Sequence, residues 1–284
     1  MRSLSTNSSK RYAILLLLFI AILWSSSGLF IKLLDWGPLA ILSGRSMLAS
    51  GVILLYLRKI HFTFGRWQLV GALAYVGTQL FFIAGTKLTT AANVIFLQFT
   101  APLYAVLLGY YFLNEKPNKM DWIAMALILP GMGLFFGDNG LTLNGTYGNV
   151  LGILSGISMA IMTVAMRKER FNTPANTILL GNFMAAIIGF PWLLQAPFDL
   201  TNGSIMLYLG TIQLGLTFLL YSFAIQRVNA VETILLTSLE PILNPFWVFL
   251  ILGEVPGPWS ILGGTMVLLA VLGRAIASSR TVAE

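Results

Sequence analysis

Apolar residues along the chain come in runs of about 20, separated by short segments that are rich in charge, glycine and proline. A helix of that length, rising about 1.5 Å per residue, crosses a hydrocarbon core of about 30 Å. The runs lack the strict apolar and polar alternation of barrel strands, which favours helices. The pattern predicts ten transmembrane helices, at residues 13–34, 38–57, 67–86, 90–112, 120–137, 147–166, 175–195, 204–225, 230–252 and 259–277.

The composition is also that of an integral membrane protein. Hydrophobic residues make up 57% of the 284 residues and charged residues only 10%, whereas a soluble domain has about 25% charged residues and needs polar groups to cover its surface. The chain is therefore predicted to be an all-α polytopic membrane protein. Its first apolar run follows Lys10 and Arg11 as in a signal peptide, but the run is too long for one and is predicted to be a retained helix.

Positive charge is distributed unevenly between the two predicted sides of the membrane. Of the 17 Lys and Arg residues, 14 lie in segments on the side of the N-terminus, two (Lys32 and Lys87) on the other side and one, Arg45, within a helix. Since cytoplasmic loops carry the excess of basic residues, both termini are predicted to be cytoplasmic, as the tails 1–12 and 278–284. This orienting role accounts for the net charge of +7 without a nucleic-acid partner.

The chain contains an internal repeat. A shift of 139 residues superposes Pro102 on Pro241 and Glu115 on Glu254, each glutamate standing two residues before a further proline. The same shift matches apolar positions over most of the fourth and fifth predicted helices with those of the ninth and tenth. A proline and an E-x-P motif at one fixed shift indicate a true duplication.

The predicted repeats are residues 13–137 and 147–277, with five helices in each. Because five is odd, the second copy enters the membrane in the opposite sense. Inverted repeats of this kind are typical of secondary transporters, whose substrate sites lie near the membrane midplane between the halves. The architecture therefore favours transport by alternating access.

Four motifs resemble those of a known family. They are LWSSSGLFIK in the first predicted helix, GRSMLA in the second, TAPLYAVLLGYYFLNEKP in the fourth and LEPILNPFWVFLILGEVP in the ninth. They resemble the EamA-type transporters of the drug/metabolite transporter (DMT) superfamily. The resemblance implies two inverted five-helix repeats around a central cavity and export, or less often import, of amino acids and other small metabolites. One departure is that Ala101 precedes the first proline where Glu240 precedes the second.

Glu240 lies near the centre of its predicted helix, where an ionised side chain is costly. Thr237 and Asn244 share its helical face, which predicts a polar cavity wall. One interpretation gives Glu240 a role in binding a cation or carrying a proton. The other has it cap backbone groups freed by a bend at Pro241. Pro102 and Pro241 are predicted to be hinges.

Arg45 is the other ionisable residue deep in a predicted helix. It has three interpretations: an ion pair with Glu240, bidentate binding of a substrate carboxylate, or hydrogen bonds to backbone carbonyls of a neighbouring helix. We favour the third. Lys32 and Lys87 are expected to extend from outer helix ends to water, and Glu254 to fix a loop without a part in transport.

Polar, aromatic and Met side chains at helical spacing predict the substrate cavity, although each taken singly also fits helix packing. The candidate cavity residues are Trp24, Ser27, Arg45, Tyr75, Gln79, Gln98, Tyr104, Ser158, Met159, Gln213, Tyr221, Thr237, Glu240 and Asn244. By contrast, the glycines Gly148, Gly152 and Gly156 at four-residue spacing predict a packing seam.

The sequence thus predicts a multi-pass protein of the inner (cytoplasmic) cell membrane that exports a small metabolite, such as an amino acid or a related amphipathic compound. Its expected partners are the substrate, membrane lipid and, through Glu240, protons, and it is expected to be a monomer. Import of a vitamin or nucleoside is an alternative, and a channel is a more remote one. The sparse His and Asp residues offer no catalytic constellation, so neither an enzyme, a cofactor nor a metal site is predicted.

Overall fold

The computed structural model describes residues 2–57, 60–114, 119–137, 143–168, 174–224, 236–237 and 239–283. Every regular element within these ranges is a helix. The first half contains α1 (Arg2–Ser25), α2 (Ser27–Leu33), α3 (Pro38–Tyr56), α4 (Arg66–Leu88), α5 (Ala91–Gln98), α6 (Ala101–Leu113) and α7 (Lys119–Leu134). The second contains α8 (Leu143–Lys168), α9 (Pro174–Leu193), α10 (Leu200–Leu207), a π-helical segment (Tyr208–Leu216), α11 (Thr217–Ala224), α12 (Glu240–Leu252) and α13 (Pro258–Ala283).

Seven helical stretches of the described chain are long and apolar enough to cross a membrane, and two further apolar helices are shorter. The seven are Tyr12–Leu33, Pro38–Tyr56, Arg66–Leu88, Ala91–Leu113, Gly145–Met166, Ala175–Leu193 and Leu200–Tyr221, and the shorter two are Glu240–Leu252 and Pro258–Gly273. The prediction of an all-helical, multi-pass membrane protein is confirmed. The ten-helix layout and the cytoplasmic termini stay predictions.

The two prolines of the repeat lie at helix starts. Pro102 and Pro241 are each the second residue of a 13-residue helix, α6 and α12 respectively. The first turn of a helix tolerates proline because its N–H groups have no intrahelical acceptor there. A helix begins at Glu240, with Leu239 in a turn before it, and the expected bend and hinge at Pro241 stay predictions.

The ends of these two helices also correspond. Asn114 follows α6 and Gly253 follows α12, and both adopt the left-handed conformation, with φ of 57° and 68°. This conformation closes many helices at their C-terminal end, and it suits Gly and Asn better than other residues. Starts, lengths and closing residues of α6 and α12 thus agree at the shift of 139 residues that superposes the sequences.

Major contacts between the helices recur when the two halves are exchanged. α4 packs on α8 as α11 packs on α1, α3 packs on the π-helical segment as α9 packs on α4, and α6 packs on α8 as α12 packs on α1. Two further large contacts, α3 with α9 and α7 with α13, join helices at equivalent positions. These large contacts all join one half of the chain to the other.

Glycines of α8 let it approach α5 closely. A Cβ atom would lie 2.6 Å from Thr89 Cβ if built on Gly148, 3.1 Å from Leu97 Cβ on Gly152 and 3.1 Å from the carbonyl oxygen of Gln98 on Gly156. The predicted packing seam is confirmed.

Candidate functional site

The buried guanidinium of Arg45 lies between α3 and the π-helical segment. Its Nη2 donates to Gln213 Oε1 at 2.9 Å, whereas Nε and Nη1 have no hydrogen-bond acceptor among the described residues. The expected bonds to backbone carbonyls are therefore not found, and Glu240 is not its partner in the described structure. The arginine instead meets a side-chain amide from the other half of the chain.

Small residues bring the π-helical segment against α3. A Cβ atom on Gly210 would lie 2.5 Å from Leu48 Cβ, and one on Gly215 would lie 2.8 Å from Val52 Cβ. Larger residues at these two positions would hold the backbones apart. The close approach carries Gln213, between the two glycines, to Arg45.

Trp24 of α1 lies beside the same segment. Its Nε1 donates to Thr217 Oγ1 at 2.9 Å, and the Thr217 hydroxyl donates at 2.6 Å to the backbone carbonyl of Gln213, one turn earlier. The rings of Trp24 and Tyr221 are 5.3 Å apart between centroids. We call Arg45, Gln213, Trp24, Thr217 and Tyr221 the Arg45–Gln213 site.

Tyr75 is fully buried in α4 and faces α9. Its hydroxyl donates to Asn182 Oδ1 at 3.0 Å, and Asn182 Nδ2 donates to the carbonyl of Ile178. Gln79, one turn after Tyr75, is half-buried. The polar contact of Tyr75 is therefore satisfied within the protein and joins α4 of the first half to α9 of the second.

Two other predicted cavity residues lie where α4, α5 and α8 meet. Gln98 Nε2 donates to Ser155 Oγ at 2.8 Å, and that hydroxyl donates to the carbonyl of Thr78 at 2.8 Å. Ser158 is buried against Gly77, on which a Cβ atom would lie 2.9 Å from the serine Oγ. These contacts hold the three helices together.

Asn244 and Ser27 lie where α2 meets α12. Asn244 is fully buried and neither Oδ1 nor Nδ2 has a partner among the described residues, while its Oδ1 lies against Gly28, next to the buried Ser27. Trp247 Nε1 donates to Ser25 Oγ at 2.9 Å nearby.

The remaining predicted site residues are dispersed. Glu240, the first residue of α12, is half-buried, as is Thr237. The Tyr104 hydroxyl contacts Met132 Sδ of α7 at 3.8 Å, and Met159 is 37% exposed. The structure therefore brings Arg45 to Gln213 and Trp24 to Tyr221, and both Gln213 and Tyr221 lie between Tyr208 and Ala224. Tyr104 and Met159 lie on other helices, α6 and α8.

Comparison with known proteins identifies the family. The model of the EamA-like transporter family matches residues 11–137 and again 146–274. The chain belongs to the EamA-like transporter family. It is similar to the "Uncharacterized transporter YwfM" of Bacillus subtilis, with 27% identity, covering 91% of this chain and 92% of that protein. An "Uncharacterized transporter" of Archaeoglobus fulgidus is 23% identical, covering 90% of this chain and 95% of that one.

A solved structure described as "Crystal structure of protein" has a similar fold. It superposes with a TM-score of 0.66 at 15% identity, covering 93% of this chain and 98% of that chain. This EamA-like transporter is thus a multi-pass protein of the cell membrane with a general role in transport.

The EamA-like transporter also carries an ionic contact that sequence reasoning missed. Lys32, at the end of α2, forms an ion pair with Glu254 and donates to the carbonyl of Thr89 at 3.0 Å, and Glu254 Oε1 accepts from the backbone N–H of Ala91 at 2.8 Å. Lys87 donates to the carbonyl of Leu34. The expectation that both lysines extend to water is wrong, because both are bonded to the protein.

Two further partners escaped prediction for different reasons. Asn182 carries no charge and lies in an apolar run, so nothing in the sequence marks it as the acceptor for Tyr75. Thr217 corresponds to Thr78 at the shift of 139 residues. That correspondence is the signal in the sequence that could have marked Thr217 as a polar residue of the interface.

Proposed function

We propose that this EamA-like transporter is a secondary carrier that exports a small amphipathic metabolite, an amino acid or a related compound, by alternating access. In this proposal ten helices form two inverted repeats, 13–137 and 147–277, and both termini are cytoplasmic. The carrier binds its solute without altering it chemically and works as a monomer in contact with membrane lipid.

The observation that carries the proposal is the packing that survives exchange of the halves. Corresponding helices of each half make corresponding contacts, and α6 and α12 agree in start, length and closing residue. Two matches of one family model, at 11–137 and 146–274, support the same duplication. A pseudo-symmetric pair of halves supplies two equivalent arrangements that open to opposite sides of the membrane.

Several buried polar side chains form hydrogen bonds between the two halves. Arg45 bonds to Gln213, Trp24 to Thr217 and Tyr75 to Asn182, each across the interface. Buried polar groups between membrane helices are costly to leave unpaired and commonly line a substrate path. This supports a substrate site at the interface.

Glu240 supports a coupling role for protons in the proposal. It starts α12, where the positive end of the helix dipole favours a carboxylate, and the equivalent position of α6 is Ala101. The two halves therefore differ in charge at the same structural position. In the proposal, this single carboxylate exchanges a proton in one of the two arrangements.

Counterflow in vesicles tests the proposal. Purified protein is reconstituted into liposomes that are loaded with one unlabelled compound, and uptake of the same compound in labelled form is measured. The compounds tested one at a time are several amino acids, a vitamin and a nucleoside. The carrier predicts saturable uptake that requires the internal compound and is absent from protein-free liposomes. Loading one side only then assigns direction, while unitary conductance steps in a planar bilayer would show a channel and contradict the carrier.

A further inference from the structure

Arg45 is a buried cation whose charge the described protein does not balance. The residue is 3% exposed, and its one hydrogen-bond acceptor is the neutral amide of Gln213. A buried charge is stable only when it is paired and its donors are bonded. Two of its three nitrogens, Nε and Nη1, have no acceptor among the described residues.

Among the residues that the structure describes, the charged groups near α3 do not supply the missing anion. α3 packs on α4, α9, α10 and the π-helical segment, and from these elements the ionisable group next to Arg45 is the hydroxyl of Tyr75, which donates to Asn182. Among the described carboxylates, Glu254 is paired with Lys32, and Asp199 accepts from the side chain and backbone of Asn202. Neither these two nor the other described carboxylates, Asp35, Asp121 and Glu240, form an ion pair with Arg45.

The polar atoms that remain at the Arg45–Gln213 contact are donors. Because Gln213 Oε1 accepts from Arg45, the free end of the amide is its Nε2, a donor. The indole Nε1 of Trp24 and the hydroxyl of Thr217 are already bonded. Donors without acceptors define the chemistry of the missing group, which must accept several hydrogen bonds and carry negative charge.

The backbone beside Arg45 is a π-helix, a conformation that is rare and is often found at functional sites. Gln213 lies within a nine-residue π-helical segment, and π turns inside helices occur frequently at such sites. Tyr221 lies two turns after Gln213, in α11, and its ring packs on that of Trp24 of α1. An apolar group next to an anion site suits an amphipathic acid.

We infer that Arg45 and Gln213 bind the carboxylate of the transported solute. The guanidinium Nε and Nη1 and the amide Nε2 donate to the carboxylate oxygens, and Trp24 and Tyr221 contact the apolar part. This inference rests on the proposed transport function and narrows its substrates to organic acids, including amino acids.

Matched acid and amide ligands test the inference with purified full-length protein. Thermal unfolding is measured with L-phenylalanine, L-leucine, phenylacetate and benzoate, each beside its primary amide, and with sodium chloride as an inorganic anion. At least one acid is expected to raise Tm, with an apparent Kd about tenfold or more below that of its amide. The reason is that the amide lacks the charged oxygen that accepts the hydrogen bonds of Arg45. No acid outperforming its amide, or chloride matching the best acid, overturns the inference.

Gln213→Glu supplies a second and sharper test. The new side chain has nearly the same shape and places a carboxylate beside Arg45, so the variant is expected to show a higher ligand-free Tm and to lose the stabilisation by acids. Arg45→Lys is expected to weaken acid binding, because an ammonium lacks the fork of the guanidinium. Arg66→Gln, at the exposed start of α4, is the control and is expected to bind acids like the wild type. Undiminished acid binding by Gln213→Glu would overturn the inference.

The same solutes in counterflow separate this inference from the transport proposal. Saturable transport of amides or amines as efficiently as acids would leave the carrier intact and remove the carboxylate site. Binding of acids that depends on Arg45 and Gln213 without counterflow of any solute would leave the site intact and remove the carrier.

Discussion

Lys32 and Glu254 form an ion pair that joins the two halves of the chain at one end of the helical bundle. The second carboxylate oxygen of Glu254 accepts from the backbone N–H of Ala91, at the start of α5. One glutamate thus binds the end of α2 and the start of α5 at once. By the distribution of positive charge, this end is predicted to face the outside.

The first prediction concerns access to the interior from the Lys32 end. The chain contains no cysteine, so a single Ser27→Cys reports whether a maleimide reaches the buried start of α2. Glu254→Gln removes the ion pair but keeps an oxygen for Ala91, and Glu254→Ala removes both. We expect labelling to accelerate by about tenfold for Glu254→Gln, equivalent to about 1.4 kcal/mol, and further for Glu254→Ala.

A cysteine at the exposed Ser204 of α10 serves as the control and should react at one rate in all three backgrounds. Equal labelling of Ser27→Cys with and without Glu254 would show that the ion pair does not hold this end closed. The charge swap Lys32→Glu with Glu254→Lys should restore slow labelling only in part, since a lysine cannot accept from Ala91.

The second prediction concerns Glu240 and protons. Glu240→Gln keeps the size of the side chain and removes its charge, so uptake driven by a pH gradient should be lost while exchange at equal pH continues. The measurement is counterflow at several external pH values with and without a gradient. If uptake by Glu240→Gln depends on pH in the same way as uptake by the wild type, this carboxylate is not the proton carrier.

The third prediction concerns the α5 and α8 seam. Gly148→Ala places a methyl group 2.6 Å from Thr89 Cβ and 2.9 Å from its backbone nitrogen, so the helices must separate. We expect a loss of about 1–3 kcal/mol in the free energy of unfolding, seen as a lower Tm in detergent. Gly51→Ala, where no atom lies within 4 Å, is the matched control and should be neutral or stabilising by up to about 1 kcal/mol.

The fourth prediction concerns the hydrogen bond from Trp24 to Thr217. In a double-mutant cycle of Trp24→Phe and Thr217→Val, the coupling should be about 0.5–1.5 kcal/mol, the net value of one hydrogen bond. The free energy of unfolding in mixed micelles provides the measurement. Thr265→Val serves as the control partner, because its hydroxyl bonds within its own helix, and its coupling to Trp24→Phe should vanish.

Hydropathy located the long helices well because their length and apolar content follow from the membrane itself. The predicted span 38–57 corresponds to Pro38–Tyr56 and 67–86 to Arg66–Leu88. The break in the helix at Ser26 was not predicted, because no proline or charged residue marks it. At the break, the Ser26 hydroxyl donates to the backbone carbonyl of Leu23 at 2.7 Å.

Four of the five members of the Arg45–Gln213 site were predicted, all except Thr217, but their contacts were not. Arg45 and Gln213 both stood among the cavity residues, yet they are 168 positions apart and no local pattern pairs them. The depth of Arg45 in the membrane shows that burying its charge is costly. It does not show which group accepts its hydrogen bonds. Lys32 and Glu254 were assigned to separate roles for the same reason, because an ion pair between distant segments depends on the fold.

The π-helical segment Tyr208–Leu216 has a consequence for how the sequence tolerates change in length. Its hydrogen bonds close wider turns than those of an α-helix, so each turn holds an additional residue. Deleting one residue such as Thr211 would let the segment rewind as an α-helix and rotate Gln213 relative to the helix that follows. The length of this stretch therefore sets the rotation of the helix before it relative to the helix after it. Relatives that are one residue longer or shorter here should present a different helix face to Arg45.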